Sequence, residues 1–481
     1  MRLPRCNEIA LACIGVVLCL APLPLGSTHI VFIALWNILL CAGCLFIVPG
    51  RFSRNQTIFL GAAFVALAAY LIAIHEQIAP HPWFSESLKN PIWDQANRVL
   101  GERSDAILSV VRDAPVAALG AELAFFLIFA ISFTLSVERQ AARRVLRIAA
   151  TAGGLYAVLA IISFIAEPGK ILFWRTKTDH LGFLTGSFTN RNTAAVFFGQ
   201  CAILWMLHLC EELRGSGSQA ISSDRLFDRL IARPTRRTLF SLGMVGMLIC
   251  TVLMTGSRAG SILSLGALSV AVLAYFWRDF VRWKTIVSVL TTAGLVAIGL
   301  ILVLGGSVGG RFGLQGLSDE GRWPVYRATS RIVSDFPWLG TGLGTFSAIF
   351  PAYRPSDLSS SGIWTRAHNV LLEFASDVGL PITLIILLFY LVVISCLVWG
   401  ILRRPTRDPL PAAAGLAAAL LAGAHSLVDF SLQIPGYSLT AAAIIGAGIA
   451  RVLSRPATEP RGHKLVSEAG RSPKGRAALN S

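Results

Sequence analysis

Charge is what this sequence most conspicuously lacks. Asp, Glu, Lys and Arg make up only 14% of its 481 residues, whereas 54% are hydrophobic; a typical soluble domain is about 25% charged. So few charges cannot cover a water-soluble globule, and so much apolar side chain excludes a disordered chain, which needs the opposite balance. The motifs of several chemistries are also absent. No GxxxxGK[ST] loop is present to cradle a nucleotide phosphate, no HExxH to hold zinc, no GxSxG elbow to present a serine, and no Asp cluster at metal-ligand spacing. The run Gly340-Thr341-Gly342-Leu343-Gly344 lacks the GxGxxG spacing and reads as a turn. The nine cysteines lie in or beside apolar runs, and no pair of CxxC motifs stands at zinc spacing, so neither a disulfide framework nor a zinc site is implied.

Long apolar runs are what the chain does have. They occupy residues 8–25, 30–48, 58–74, 116–137, 148–166, 193–210, 238–255, 261–277, 285–304, 379–400, 410–430 and 436–453. Since a helix needs about 20 apolar residues to cross the hydrocarbon layer, the reading is an all-α, polytopic transmembrane bundle of about twelve spans. Residues 1–453 form the membrane domain, and 454–481 form a basic tail that reads as disordered and cytoplasmic. The net charge of +16 would suggest nucleic acid for a soluble protein. Here 27 of the 42 Lys and Arg fall on the side that holds both termini, which the positive-inside tendency makes cytoplasmic. Three long outer segments remain, 75–115, 167–192 and 305–379, the last between spans nine and ten. Within it, residues 322–336 read as a helix with Trp323, Tyr326, Ile332, Val333 and Phe336 on an apolar face, suited to lying along the membrane surface.

Polar clusters gather on the outer side, and each has a plain reading beside a chemical one. Arg258, in Thr255–Gly260, either snorkels to the interface or contacts an anion in a cavity. Arg322, Arg327 and Arg331 either answer phospholipid head groups or cradle a pyrophosphate, whose oxygens guanidinium forks match in pairs. His368, in Arg366-Ala367-His368-Asn369, is either a packed side chain or a base able to take a hydroxyl proton near neutral pH, while Glu373 and Asp377 read as ordinary polar helix positions. His425 and Asp429, at i and i+4, read as a pair satisfying one another away from water. Asn190 and Asn192 either cap the helix that follows or bind sugar hydroxyls, capping being favoured.

Taken in order, GSFTNRNTAA (186–195), TGSRAGS (255–261), GRWPVYRA through DFPWLGTGLGTF (321–346), AHNVLLEFASDVGLP (367–381) and HSLVDFSLQIP (425–435) resemble the bacterial O-antigen ligase and polymerase family. That resemblance covers residues 186–435 and implies a GT-C-like helical fold with a periplasmic catalytic loop, in the bacterial inner membrane. It implies transfer of a glycan from undecaprenyl diphosphate to an acceptor hydroxyl, on lipid A core or on a second lipid-linked glycan, with no cofactor or metal and no nucleic acid. By the same resemblance Arg258 and Arg322 match the arginines that hold the diphosphate and His368 the loop histidine; Asn190, Asn192, Arg327, Arg331, Asn369, His425 and Asp429 are further candidates with a substrate or structural part. A lipid-linked glycan flippase and a non-catalytic assembly scaffold are the competing functions. No repeat between the halves supports the flippase.

Overall fold

The computed structural model describes residues 4–101, 104–215, 230, 232–278, 322–356, 358, 363–403 and 408–454. The expected span at 285–304 and nearly all of the basic tail lie outside these. Among the described residues fifteen α-helices and a single two-stranded ribbon occur. The helices are α1 (Arg5–Leu20), α2 (Ile30–Leu45), α3 (Arg54–Ile78), α4 (Ile92–Leu100), α5 (Ala114–Leu135), α6 (Arg139–Ala166), α7 (Arg191–Arg214), α8 (Arg236–Met254), α9 (Arg258–Phe276), α10 (Arg322–Asp335), α11 (Phe346–Tyr353), α12 (Val370–Val378), α13 (Leu380–Arg403), α14 (Pro409–Ser426) and α15 (Pro435–Leu453). Nine of them are long and apolar enough to cross a membrane: α3, α5, α6, α7, α8, α9, α13, α14 and α15. The chain is a polytopic all-α membrane protein. The shorter α1 and α2 occupy the first two expected spans.

The last helix is the innermost. α15 is buried along nearly its whole length, and α7 and α14 are mostly buried. The composition of α14 and α15 explains this, since both are rich in Ala and Gly. Lipid tails are as apolar as leucine, so helices in a membrane associate mainly through close packing of small residues. At the crossing, a methyl group on Gly415 would lie 3.0 Å from the Gly448 Cα. Polar fastenings then fix the bundle ends. Ser53 caps α3 in a capping box with Gln56; the Ser53 hydroxyl also donates to Leu453 O (2.7 Å) and the Gln56 amide to Ala450 O (2.9 Å). The start of α3 is thereby tied to the end of α15, with each buried polar group satisfied.

Ion pairs collect at the same end, where sequence reasoning expected the cytoplasmic arginines. The Asp408 carboxylate accepts from Arg139 Nε and Arg143 Nε, each at 2.7 Å. Arg143 also meets Glu211 (2.5 Å), and Arg144 meets Glu8 (2.6 Å). Burial would raise the Asp408 carboxyl, but hydrogen bonds from Arg143 and Arg139 hold it below its ordinary range. These contacts join α1, α6, α7 and the start of α14.

At the opposite end lie α10, α11 and α12 and the longer connections. Gly340 is held there at φ +67°, and a methyl group on it would stand 2.4 Å from Asp377 O. The turn expected at 340–344 is thus a docking element as well: Thr341 N donates to Ser376 O (2.8 Å) and Gly344 N to the Asp377 carboxylate (2.8 Å). The amide of Gln77, at the end of α3, donates to Leu339 O (2.7 Å) and Asp377 O (2.8 Å), and its oxygen accepts from Leu343 N (2.9 Å).

Candidate active site

A short extended strap, residues 363–369, carries His368 to the start of α12. His368 has φ +56°, a left-handed conformation that costs a non-glycine residue energy and persists only where its neighbours enforce it. Three fastenings do so. On one side the Glu373 carboxylate, only 1% exposed, accepts from Ala367 N (2.6 Å), Arg366 Nη1 (3.0 Å) and Gln433 Nε2 (2.9 Å). On the other, Asn369 caps α12 by accepting from Leu372 N (3.1 Å) and donates through its amide to Leu427 O (3.1 Å). The Tyr326 hydroxyl donates to His368 O itself (3.0 Å). Edge-on contacts from Trp364 and Phe430, with ring centroids at 5.8 and 5.0 Å, bracket the imidazole.

The imidazole faces a carboxylate. His368 Nδ1 lies 3.8 Å from Asp429 Oδ2, the distance of a charge contact rather than a hydrogen bond. Arg322 Nη2 approaches the same oxygen at 3.5 Å while Arg322 Nη1 donates to Val428 O, and the Asn192 amide donates to Asp429 from the first turn of α7. Burial would raise the Asp429 carboxyl. The His368 contact and the charges of His368, His425 and Arg322 outweigh it, and hold the pKa at about 2. Asp429 is therefore an anion at every physiological pH, the fixed negative charge around which His368, Arg322 and Asn192 are gathered.

Arg258 heads α9, whose cap is Ser257, accepting from Gly260 N (3.2 Å). In that first turn a methyl group on Gly260 would meet Ala195 Cβ at 2.5 Å. Ala195 lies three residues beyond Asn192 on α7, so Arg258 stands at the same end of the bundle as Asp429. Asn190 caps α7 by accepting from Asn192 N (2.7 Å), as expected, whereas Asn192 turns to Asp429. Arg327 and Arg331 are exposed on α10.

Three sequence expectations need correction. His425 and Asp429 share no side-chain hydrogen bond and interact only through charge: the helix ends at Ser426, the Asp429 carboxylate turns to Asn192 and Arg322, and neither ring nitrogen of buried His425 has a hydrogen-bond partner. Val325, Ala328, Thr329 and Ile332 are the buried residues of α10, Val325 and Ala328 packing with Phe346, Phe350 and Ala367; of the expected apolar face Ile332 is buried while Trp323 is exposed. This helix packs on its own loop, which rotates the buried stripe away from the aromatic one. Glu373 and Asp377 are buried organising groups rather than ordinary polar positions. Burial, with the negative charge of Glu373 next, pushes the Asp377 carboxyl well above its usual range.

Sequence reasoning also missed Gln433, Tyr326 and Gln77 as site-building residues. Gln433 follows the HSLVDF stretch and Tyr326 sits beside Arg327, so both were in view without a spacing that marked them; nothing near Gln77 singles it out. Among the described residues, no group of three or more His, Cys, Asp or Glu is arranged to hold a metal ion.

In comparison with protein families, residues 242–388 match the model described as O-antigen ligase. The matched segment runs from within α8 to within α13 and contains Arg258, Arg322 and His368; Asp429 lies beyond it. No curated protein matches the chain.

Proposed function

We propose, from the premise that this chain is of the O-antigen ligase and polymerase family, that it moves a glycan from undecaprenyl diphosphate to an acceptor hydroxyl in surface-polysaccharide assembly. The family supports a membrane glycosyltransferase in general terms; donor, stereochemistry and residue roles are the proposal. The observation that carries it is the meeting of His368 and Arg322 on one buried carboxylate, Asp429, at distances of 3.8 and 3.5 Å.

His368 acts as the base. Its Nδ1 side faces Asp429, so Nε2 takes the proton from the acceptor hydroxyl as that oxygen attacks the anomeric carbon. Asp429 stabilises the imidazolium that forms, as a buried carboxylate does beside a catalytic histidine. On the other side of the sugar the bond between the anomeric carbon and the phosphate oxygen breaks, and undecaprenyl diphosphate leaves with the electron pair. Arg322 and Arg258 hold the diphosphate, whose charge grows as the bond breaks; guanidinium groups aimed there favour the transition state over the reactants. A single displacement inverts the anomeric configuration. The active site faces the periplasm and both termini the cytoplasm, in accord with the arginines gathered at the Asp408 end.

The test uses purified full-length protein in bilayer nanodiscs, an undecaprenyl-diphosphate glycan as donor, EDTA present and no nucleotide. Expected is transfer with inverted linkage, reduced at least 100-fold by His368→Ala and by Arg322→Ala. Full turnover by His368→Ala, or turnover only with added metal, would refute the mechanism.

A further inference from the structure

The connection between α3 and α5 holds a second amphipathic helix that the proposed reaction does not use. On α4, Val99, Ile92, Ala96, Leu100 and Trp93 fall within an arc of about 120° at 3.6 residues per turn, with Asp94, Asn97, Arg98 and Gln95 opposite. No residue of this helix is buried: Val99 is 84% exposed and Leu100 70%. On the apolar arc Trp93 is fastened, its ring nitrogen donating to Ser109 O (3.0 Å) and its face covered by Arg112 (4.7 Å), while on the polar side Asn97 bonds Ser104. Among the described residues Val99 and Leu100 are left largely uncovered, with Ile92 and Ala96 partly so.

Just before α4 the chain is pinned to the end of α3. The Glu76 carboxylate accepts from the backbone N–H groups of Trp83 (3.0 Å), Phe84 (3.2 Å) and Ser85 (3.2 Å) and from the Ser85 hydroxyl (2.8 Å). With these backbones held inward, Trp83 (69% exposed) and Phe84 project outward. The Trp83 ring stacks on His75 at 4.1 Å. One heptad stripe of α3, Ile58, Val65 and Ile72, is exposed along the membrane span below it, so the outward apolar surface of that span continues through His75 and Trp83 towards α4.

We infer that Trp83, Phe84 and the apolar arc of α4 form a lipid-seated anchor, lying in the boundary between head groups and acyl chains of the leaflet at the active-site end. The occupant is phospholipid, because the surface continues one that already faces the hydrocarbon layer. Trp83 is an amphipathic ring of the kind that collects at the membrane interface, and a helix with one apolar face and charged residues opposite rests in the interface plane. The anchor also reaches the catalytic side: farther along the same connection, Ser109 N donates to Gln77 O (3.0 Å) and Val110 N to Thr341 O (2.9 Å). The seated loop thus supports the turn on which α12 rests.

The test places benzoylphenylalanine singly at Val99, at Asp94 on the polar side and at Val65 on the span as a positive control. Full-length protein in nanodiscs of phosphatidylethanolamine and phosphatidylglycerol is irradiated and its mass measured. Expected is an adduct of one phospholipid at Val65 and Val99, with at least fivefold higher yield at Val99 than at Asp94. Equal yields at Val99 and Asp94, a cross-linked dimer through Val99, or an adduct at Val65 alone would overturn the anchor. None of these readouts depends on glycosyl transfer.

Discussion

Replacing Glu373 isolates the geometry that holds His368. Its carboxylate serves three donors, Ala367 N, Arg366 and Gln433, from a position 1% exposed, and it touches none of the groups proposed to meet the donor lipid. Glu373→Ala leaves the buried Ala367 N–H, the Gln433 amide and the Arg366 guanidinium, whose side chain is 37% exposed and can turn to water, without their acceptor, a loss of roughly 1–3 kcal/mol, mainly from the buried donor left unpaired. Glu373→Gln is the sharper probe. It keeps the volume but sets an N–H₂ group against surroundings that only donate, so the strap must shift, and a displacement of about 1 Å at a reacting group costs about 100-fold in rate. In nanodiscs with undecaprenyl-diphosphate glycan, kcat is expected to fall roughly 30- to 100-fold while the donor KM changes less than about threefold. The double variant Glu373→Gln, Gln433→Glu restores a carboxylate beside the amide and should recover at least about tenfold of that loss. A kcat for Glu373→Gln within twofold of the parent would refute the positioning argument, and equal losses in kcat and thermal stability without recovery in the swap would reduce Glu373 to a structural role.

Two further expectations rest on Asp429 and Gly340. The native Asp429 carboxyl titrates at about 2, against about 3.9 in an unfolded chain. Its stabilisation is therefore complete above the unfolded value and lost as pH falls through the native one. The gap in melting midpoint between the parent and Asp429→Asn should be open at pH 6 and close between about pH 4 and 2. Transfer by Asp429→Asn should be lower by roughly 100-fold or more at neutral pH; transfer within about twofold of the parent would contradict the fixed-anion role. Gly340→Ala, meeting Asp377 O at 2.4 Å with φ at +67°, should lower the melting midpoint and transfer together, by at least about 1–3 kcal/mol of stability. An unchanged melt would show that the turn is free to move off α12.

Much of this molecule is legible in its sequence because a bilayer sets harsh terms. Apolar runs of fixed length must become helices, and their ends observed here fall within a few residues of the apolar runs for most spans; Arg139, Arg143 and Arg144 do gather at one end, on Asp408, Glu211 and Glu8. The separate appearance of Arg258, Arg322 and His368 in polar outer stretches was visible too, since charge beside a membrane stands out against 54% hydrophobic residues. What tertiary structure alone decided is which groups meet. Asp429 looked like the partner of His425, by helical spacing, until the chain left the helix at Ser426 and carried it to Arg322, His368 and Asn192. Glu373 looked like one more polar helix residue until folding enclosed it among three donors drawn from the strap and the segment before α15. Periodicity reports the face a residue takes on its own element. It carries no information on what arrives from 60 or 240 residues away, and buried hydrogen bonds and charge pairs are made between such distant partners.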